Sequence, residues 1–348
     1  MNATALLATE VVLPGLVEPT GLQVRTRELP APGAGQVVLR MEATGVSFAE
    51  QQMRRGKYYD QPAFPFVPGY DVVGTVTAVG PGTGSVVVGG RYAAVTKTGG
   101  WASDLLVDAV DLVAVPDEVD AADAESVLVN GITAWQMLHR STSLAAGSTV
   151  VVLGANGGVG STLVQLARHA GLTVIGTAAP RHHDAVRALG AIPVDYRDPQ
   201  LYDRIRALAP DGVDAVFDHV GGPALAQSWS ILRRGGTLVS YGSAATKDDA
   251  GRSQLPVLKL FVRLTLWNLL PNGRRAGFYN FWAGKRFHAA AFRARLREDL
   301  THVLQLVADG VLVPQIAARF PLADITAALE LAESRTVAGK VVILGDVR

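Results

Sequence analysis

One twelve-residue run constrains this chain more than any other: Val150-Val151-Val152-Leu153-Gly154-Ala155-Asn156-Gly157-Gly158-Val159-Gly160-Ser161. Its four apolar residues predict a buried strand, its glycines a tight turn, and residues 161–170 a helix. A strand that enters a helix through glycines belongs to a parallel α/β sheet. The same order suits an anion. The turn lacks Cβ atoms, a phosphate can approach the backbone, and the helix start offers free N–H groups and the positive end of its dipole. The spacing is Gly154-x-x-Gly157-x-x-Gly160 with Gly158 added. Asn156 stands where G-x-G-x-x-G has its second glycine. The alternative is an ordinary glycine turn, and the strand–turn–helix context favours phosphate binding.

The rest of the chain fits around that unit. Apolar runs at 148–153, 172–177, 213–217 and 237–241 alternate with helix-like stretches such as 161–170 and 184–189. Short apolar runs between helices predict strands buried on both faces of a doubly wound parallel sheet. Residues 1–120 differ. Short strands such as Asp71–Val79 are separated by clusters such as Pro30-Ala31-Pro32-Gly33 and Gly80-Pro81-Gly82, which predicts a β-rich domain. Residues 250–290 break the alternation with aromatics and arginines. They predict a helix pair packed on its own aromatic face, or else a lid or interface segment beside an active site. Residues 296–307 predict an amphipathic helix and Lys340–Leu344 a last strand. At ~150 residues per domain, 348 residues make about two domains.

Composition removes several classes of function. With 49% hydrophobic and 18% charged residues the chain is not disordered. A formal net charge of +1 argues against nucleic acid or an acidic membrane surface as partner. Zero cysteines exclude disulfides, thiol catalysis and thiolate metal sites. The seven histidines form no tight ligand pattern, and adjacent His182 and His183 cannot share one ion, so no metal is expected. The first ten residues are a poor secretory signal, and 255–270 is short for a membrane span and interrupted by Pro256, Lys259 and Arg263. The expectation is a cytoplasmic protein.

A dinucleotide is the natural ligand of such a turn, and the second strand indicates which one. NAD enzymes carry an acid at its end for the ribose hydroxyls. Here Thr173-Val174-Ile175-Gly176 is followed by Thr177-Ala178-Ala179-Pro180-Arg181, with no acid before Asp184. Thr177 and Arg181 suit a 2′-phosphate, Arg181 through bidentate bonds, with His182 and His183 as weaker neighbours. NADPH is therefore expected over NADH.

Together these residues resemble the medium-chain dehydrogenase/reductase superfamily across essentially the whole chain. The resemblance is carried by residues 44–50, by Pro68-Gly69-Tyr70-Asp71-Val72-Val73-Gly74, and by Asn130-Gly131-Ile132-Thr133-Ala134-Trp135. It implies a Rossmann domain inserted into a β-rich GroES-like substrate domain: residues 1–122 with 290–348, and 123–289. Zinc-dependent members place Cys at Ser47 and His at Tyr70, and neither replacement is a good zinc ligand. The stretch from Gly45 to Tyr58 is similar to the G-x-N-x-x-D-x-x-x-R-x-G-x-Y of the zinc-independent quinone oxidoreductase (zeta-crystallin-like) family. Ser47 replaces its Asn and Glu50 its Asp, while Tyr58 keeps its active-site Tyr. The resemblance implies cofactor contacts from Thr133, Gly154, Gly157, Gly158, Val159, Gly160, Thr177, Arg181, Tyr196, Val220, Tyr241 and Gly242, and a homodimer.

Without a Lewis acid, charge on a simple ketone oxygen is poorly stabilised. A conjugated acceptor spreads that charge. The expected reaction is reduction of a quinone or α,β-unsaturated carbonyl by NADPH in the interdomain cleft, with Tyr58 or Ser47 orienting or donating to the carbonyl oxygen. Glu50 is expected to orient backbone or an arginine rather than to act as an acid. The alternatives are an ene-reductase of enones, enals or enoyl thioesters, and an NADPH-binding module without turnover.

Overall fold

The computed structural model describes residues 6–242, 255–334 and 336–346. The chain divides into two compact units, Met1–Ile132 with Gly284–Arg348, and Thr133–Ala283. The sequence expectation placed the crossings near 122 and 290. The first crossing lies inside the continuous helix Ala121–His139, just after Asn130-Gly131, a pair of turn residues that the helix runs through unbroken.

Among the described residues the second unit holds six parallel strands. Their order is Ile192–Asp195, Thr173–Ala178, Thr149–Val152, Val213–Asp218, Leu232–Ser240, Arg275–Phe278. Numbered along the chain this is 3-2-1-4-5-6, and the direction of winding reverses between Thr149–Val152 and Val213–Asp218. Ligands of such sheets bind outside the carboxyl ends of the strands at that reversal. Alternation explains the apolar runs. Val151, Ile175, Val216 and Leu238 pack into one core with Ile205 and Leu264 from helices Leu201–Leu208 and Leu255–Asn268. Val150, Val152 and Val174 point the other way and are equally buried.

The aromatic block corrects one expectation. It is not a helix pair: helix Leu255–Asn268 is followed by the sixth strand, Arg275–Phe278. Residues 250–254 of the block lie outside the described residues. Trp267 stacks on Trp229 of the preceding helix, ring centroids 4.9 Å apart, and Phe261 meets Phe278 edge to face at 5.7 Å. These aromatics join the helix to helix Leu225–Ser230 and to the sixth strand, and not to a second helix from within the block. The strand is an edge, and its backbone is covered. In a parallel ladder both polar groups of one residue point the same way. The Tyr279 N–H donates inward to the Ser240 carbonyl, so Ala276 faces outward. There the Asn268 side chain accepts from the Ala276 N–H (2.7 Å) and donates to its carbonyl (2.8 Å). One amide thus imitates a paired strand and closes that point of the edge.

The first unit holds a seven-stranded sheet and the hairpin Leu6–Val12 with Gln23–Leu29. The sheet runs Ile316–Pro321, Lys340–Leu344, Gln36–Val46, Asp71–Val79, Arg91–Val95, Val113–Ala114, with Asp104–Asp108 also paired to Gln36–Val46. Two strands from the end of the chain therefore lie in the same sheet as the N-terminal ones. A buried ion cluster fastens them. Lys340 Nζ lies 2.8 Å from Asp71 Oδ2 and 2.5 Å from Glu125 Oε1, and none of the three is more than 4% exposed. Burial pushes the Glu125 carboxyl well up, with Lys340 opposing and Asp71 adding to the shift. Burial would lower Lys340, but the Asp71 and Glu125 charges hold it above the usual lysine value. Removing one partner of such a cluster costs ~3–5 kcal/mol. Among the described residues no helix is long and apolar enough to cross a membrane.

Candidate active site

The glycine turn forms as its spacing requires. Strand Thr149–Val152 leads to Gly154 at φ +70°, and helix Gly158–His169 starts after Gly157. A Cβ on Gly160 would overlap the Gly154 carbonyl oxygen, so the helix start lies directly against the turn. This is a cradle that side chains would fill, and it fits a dinucleotide phosphate. Gly157, Gly158 and Val159 supply the helix start. The Gly154 N–H donates to the Thr177 hydroxyl at 3.0 Å, and Thr177 is buried. Thr177 therefore braces the turn. Arg181 is exposed after the second strand, with Nε 3.1 Å from His182 Nε2. Burial and the Arg181 charge hold His182 below the usual histidine value. His183 Nε2 lies 3.2 Å from the Ala178 carbonyl and so ties the loop to the strand end.

The opposite side of the reversal is built from Asp218. Its Oδ1 accepts from the N–H groups of Val220 and Gly221, both at 2.8 Å, and its Oδ2 from the Ser228 hydroxyl at 2.7 Å. That turn presents His219, which the sequence reading passed over. Its Nδ1 lies 3.0 Å from the Leu153 carbonyl, and a Cβ on Gly154 would meet its ring at 2.5 Å. Burial lowers its pKa, and because the Leu153 carbonyl can only accept, Nδ1 is the donor. A polar residue at the end of the fourth strand of a 3-2-1-4-5-6 sheet was the signal available. Tyr241 lies 6.1 Å from His219 between ring centroids, and Gly242 packs on the His219 backbone. Tyr196 is exposed, with Arg197 over its ring at 5.4 Å. Thr133 is buried in helix Ala121–His139, where Gln136, also missed, accepts from the Tyr279 hydroxyl at 2.9 Å.

The first unit brings Ser47 and Tyr58 to one cluster around Glu50. Ser47 caps helix Phe48–Arg54: its Oγ accepts from the Ala49 N–H at 3.1 Å, and Glu50 Oε2 accepts from the Ser47 N–H at 2.9 Å. The Ser47 hydroxyl also bonds Glu50 Oε2. Glu50 Oε1 accepts from the Tyr70 N–H at 2.7 Å. The Tyr70 hydroxyl lies 2.8 Å from that of Tyr58. Glu50 is 2% exposed; burial, then the Asp71 charge, raise its pKa against the pull of the Ser47 bond. Zinc does not fit here. The hydroxyl of Ser47 is engaged with Glu50 and that of Tyr70 with Tyr58. Among the described residues no group of three His, Asp or Glu side chains is arranged for a metal.

The alcohol dehydrogenase GroES-like domain matches residues 33–117, and the zinc-binding dehydrogenase domain matches residues 189–343. The chain is 31% identical to a 2-haloacrylate reductase of Burkholderia sp, over 90% of this chain and 92% of that protein. It is 32% identical to the synaptic vesicle membrane protein VAT-1 homolog of Homo sapiens, over 93% of this chain and 82% of that protein. The chain belongs to the medium-chain dehydrogenase/reductase family. Mycobacterial Rv1454c, solved in complex with NADPH, is 28% identical and superposes with a TM-score of 0.81 over 97% of this chain and 99% of that one. The quinone oxidoreductase of Escherichia coli shares the fold, with a TM-score of 0.83 over 97% of this chain and 99% of that one at 22% identity. As in its relatives, the chain of this dehydrogenase/reductase combines a GroES-like domain with a parallel-sheet Rossmann domain, and it is an oxidoreductase.

Proposed function

We propose that this oxidoreductase is a metal-free, NADPH-dependent reductase of conjugated carbonyl compounds, quinones or α,β-unsaturated carbonyls. The observation that carries this reading is the Glu50 cluster. Where zinc enzymes need two metal ligands, one side chain caps a helix and the other bonds a phenol, leaving hydrogen bonding as the means of stabilising a developing oxyanion. NADPH, when bound, supplies a hydride. The chain's residues do the rest. The turn at 154–160 holds the pyrophosphate on backbone N–H groups, and Arg181 receives the 2′-phosphate. Tyr58 orients the acceptor's oxygen and donates its proton there. One such donor contributes about 3 kcal/mol, roughly two orders of magnitude in rate.

A second reading, an ene-reductase acting on unsaturated acids or thioesters, is supported by the 2-haloacrylate reductase relative. Oxidation of NADPH by the purified protein with a quinone, an enone, an enoyl thioester and a 2-haloacrylate separates the two. Turnover of a quinone or enone with NADPH supports the first reading, and turnover confined to the acid or thioester supports the second. Tight NADPH binding without oxidation by any acceptor would leave a binding module and overturn both.

A further inference from the structure

Tyr58 stands between two other phenols that differ in depth. Tyr70 is 5% exposed, Tyr58 is half-buried and Tyr59 is 60% exposed. The Tyr58 and Tyr70 hydroxyls are 2.8 Å apart, their rings edge to face at 83°. The Tyr59 ring centroid is 4.8 Å from that of Tyr58, with the ring planes tilted by 43°. A hydroxyl offers one proton and two lone pairs. A phenol in the middle of three can therefore release its proton while a neighbour still donates to it.

The arrangement is held rigidly. The Tyr70 carbonyl accepts from the N–H groups of Thr96 (2.9 Å) and Lys97 (3.0 Å). Lys97 has φ +67°, the one positive value outside glycine among the described residues. Such a conformation persists where the surroundings impose it. The Lys97 ammonium pairs with Asp60, two residues beyond Tyr58. The contacts close a circuit: Tyr58, Asp60, Lys97, Tyr70 and back to Tyr58 through the two hydroxyls.

We propose that Tyr59, Tyr58 and Tyr70 form a proton relay, in which Tyr59 resupplies Tyr58 from solvent and Tyr70 is a positioning residue that fixes the Tyr58 oxygen and stabilises its phenolate. This rests on the reading that Tyr58 is the donor. The balance closes. Bound NADPH would supply the hydride, and the acceptor's proton comes from Tyr58, whose O–H bond breaks as the acceptor's O–H bond forms. The Tyr58 oxygen then takes the Tyr59 proton, and Tyr59 takes one from water. No side chain is oxidised or reduced, and each turnover consumes one solvent proton.

The test compares Tyr58→Phe, Tyr59→Phe and Tyr70→Phe, each keeping its ring. Tyr58→Phe should lose about a hundredfold in kcat, the contribution of one proton donor. Full activity of that variant removes the donor reading itself. Where Tyr58→Phe is impaired, Tyr59→Phe and Tyr70→Phe should each lose about fivefold in kcat with KM unchanged and a larger solvent deuterium isotope effect. A second readout needs neither cofactor nor turnover. With the eight tyrosines carbon-13 labelled at Cζ, the resonance lost in Tyr58→Phe should shift in the other two variants. Wild-type kcat, isotope effect and Tyr58 resonance in both would overturn the relay and leave the donor reading standing. If Tyr70→Phe does not fold, the exposed Tyr59→Phe decides.

Discussion

The glycine turn at 154–160 and the cluster around Glu50 are the two candidate ligand surfaces, built from different material. The turn is backbone: Gly154 to Gly160 fold on themselves within seven residues, and a Cβ at 160 would strike a main-chain oxygen. The cluster is mostly side chain: Ser47, Glu50, Tyr58 and Tyr70 span 24 residues and meet through a carboxylate, three hydroxyls and the Tyr70 N–H. A backbone site is broken by adding atoms. A side-chain site is broken by removing one. The substitutions that separate the two should therefore be opposite in kind.

The largest effect is expected at Gly160. Gly160→Ala places a methyl group against the Gly154 carbonyl, which cannot move without opening the turn. NADPH binding should weaken by about a hundredfold, the ~3 kcal/mol of a strained backbone site. Gly157→Ala is the matched control. Its Cβ would lie 3.4 Å from the Gly154 oxygen, an ordinary contact, and its φ of −79° suits alanine. Fluorescence titration of both variants checks this. Equal losses would mean that the helix start, and not the close approach, sets affinity.

The same contrast explains what could be read before the structure. The turn was legible because its requirements are local: glycines at 154, 157 and 160 after four apolar residues. The doubly wound parallel sheet followed from alternating apolar runs, and the order of its strands did not. Tyr70 was legible only as a misfit to a zinc site. Its bond to Tyr58 and the place of Glu50 beneath both depend on how a sheet brings residues 47–50 and 58 to residue 70, and no periodicity encodes that. His219 was missed for a related reason. Its neighbour Gly154 is 65 residues away, and the two meet because the first and fourth strands lie side by side. The sixth strand was hidden by aromatics that suit a helix face as well as a strand.

Glu50→Gln removes a single charge from the side-chain site, and the effect should be next in size. Glu50 accepts from the N–H groups of Ser47 and Tyr70 on separate oxygens. Glutamine has one acceptor oxygen, so its NH2 must face one donor, at a cost of ~2 kcal/mol. The pH dependence follows from the raised pKa of Glu50. A group whose pKa is higher folded than unfolded contributes stability that is full below its unfolded pKa and is lost as pH rises through the folded one. The stability gap between wild type and variant should narrow as pH rises from the acid range. Thermal unfolding across that range measures it. A widening gap would show that the N–H donors outweigh burial.

Arg181→Ala tests the edge of the backbone site, where a side chain takes over. It should cost about tenfold in NADPH affinity and leave NADH affinity unchanged, since one charge-assisted contact to phosphate contributes ~1.4 kcal/mol. Isothermal titration with both nucleotides checks it. An unchanged ratio removes Arg181 from the 2′-phosphate and reassigns the preference to its partner His182 or to the turn.

The smallest change is expected at Ser47, and it decides between two roles for one hydroxyl. As a cap, Ser47 satisfies the Ala49 N–H and engages Glu50. A hydroxyl committed in this way has no proton left for a substrate while Glu50 is charged. Ser47→Ala should then lower stability by ~1 kcal/mol, the usual worth of a cap, and leave kcat within about twofold. Ser47→Thr keeps an oxygen at the cap and should restore the stability. Measuring Tm and kcat together separates the roles. If kcat falls in Ser47→Ala while Tm holds, Ser47 is a donor beside Tyr58. The cluster would then resemble the glycine turn less than ever, with two side chains and no backbone aimed at the substrate.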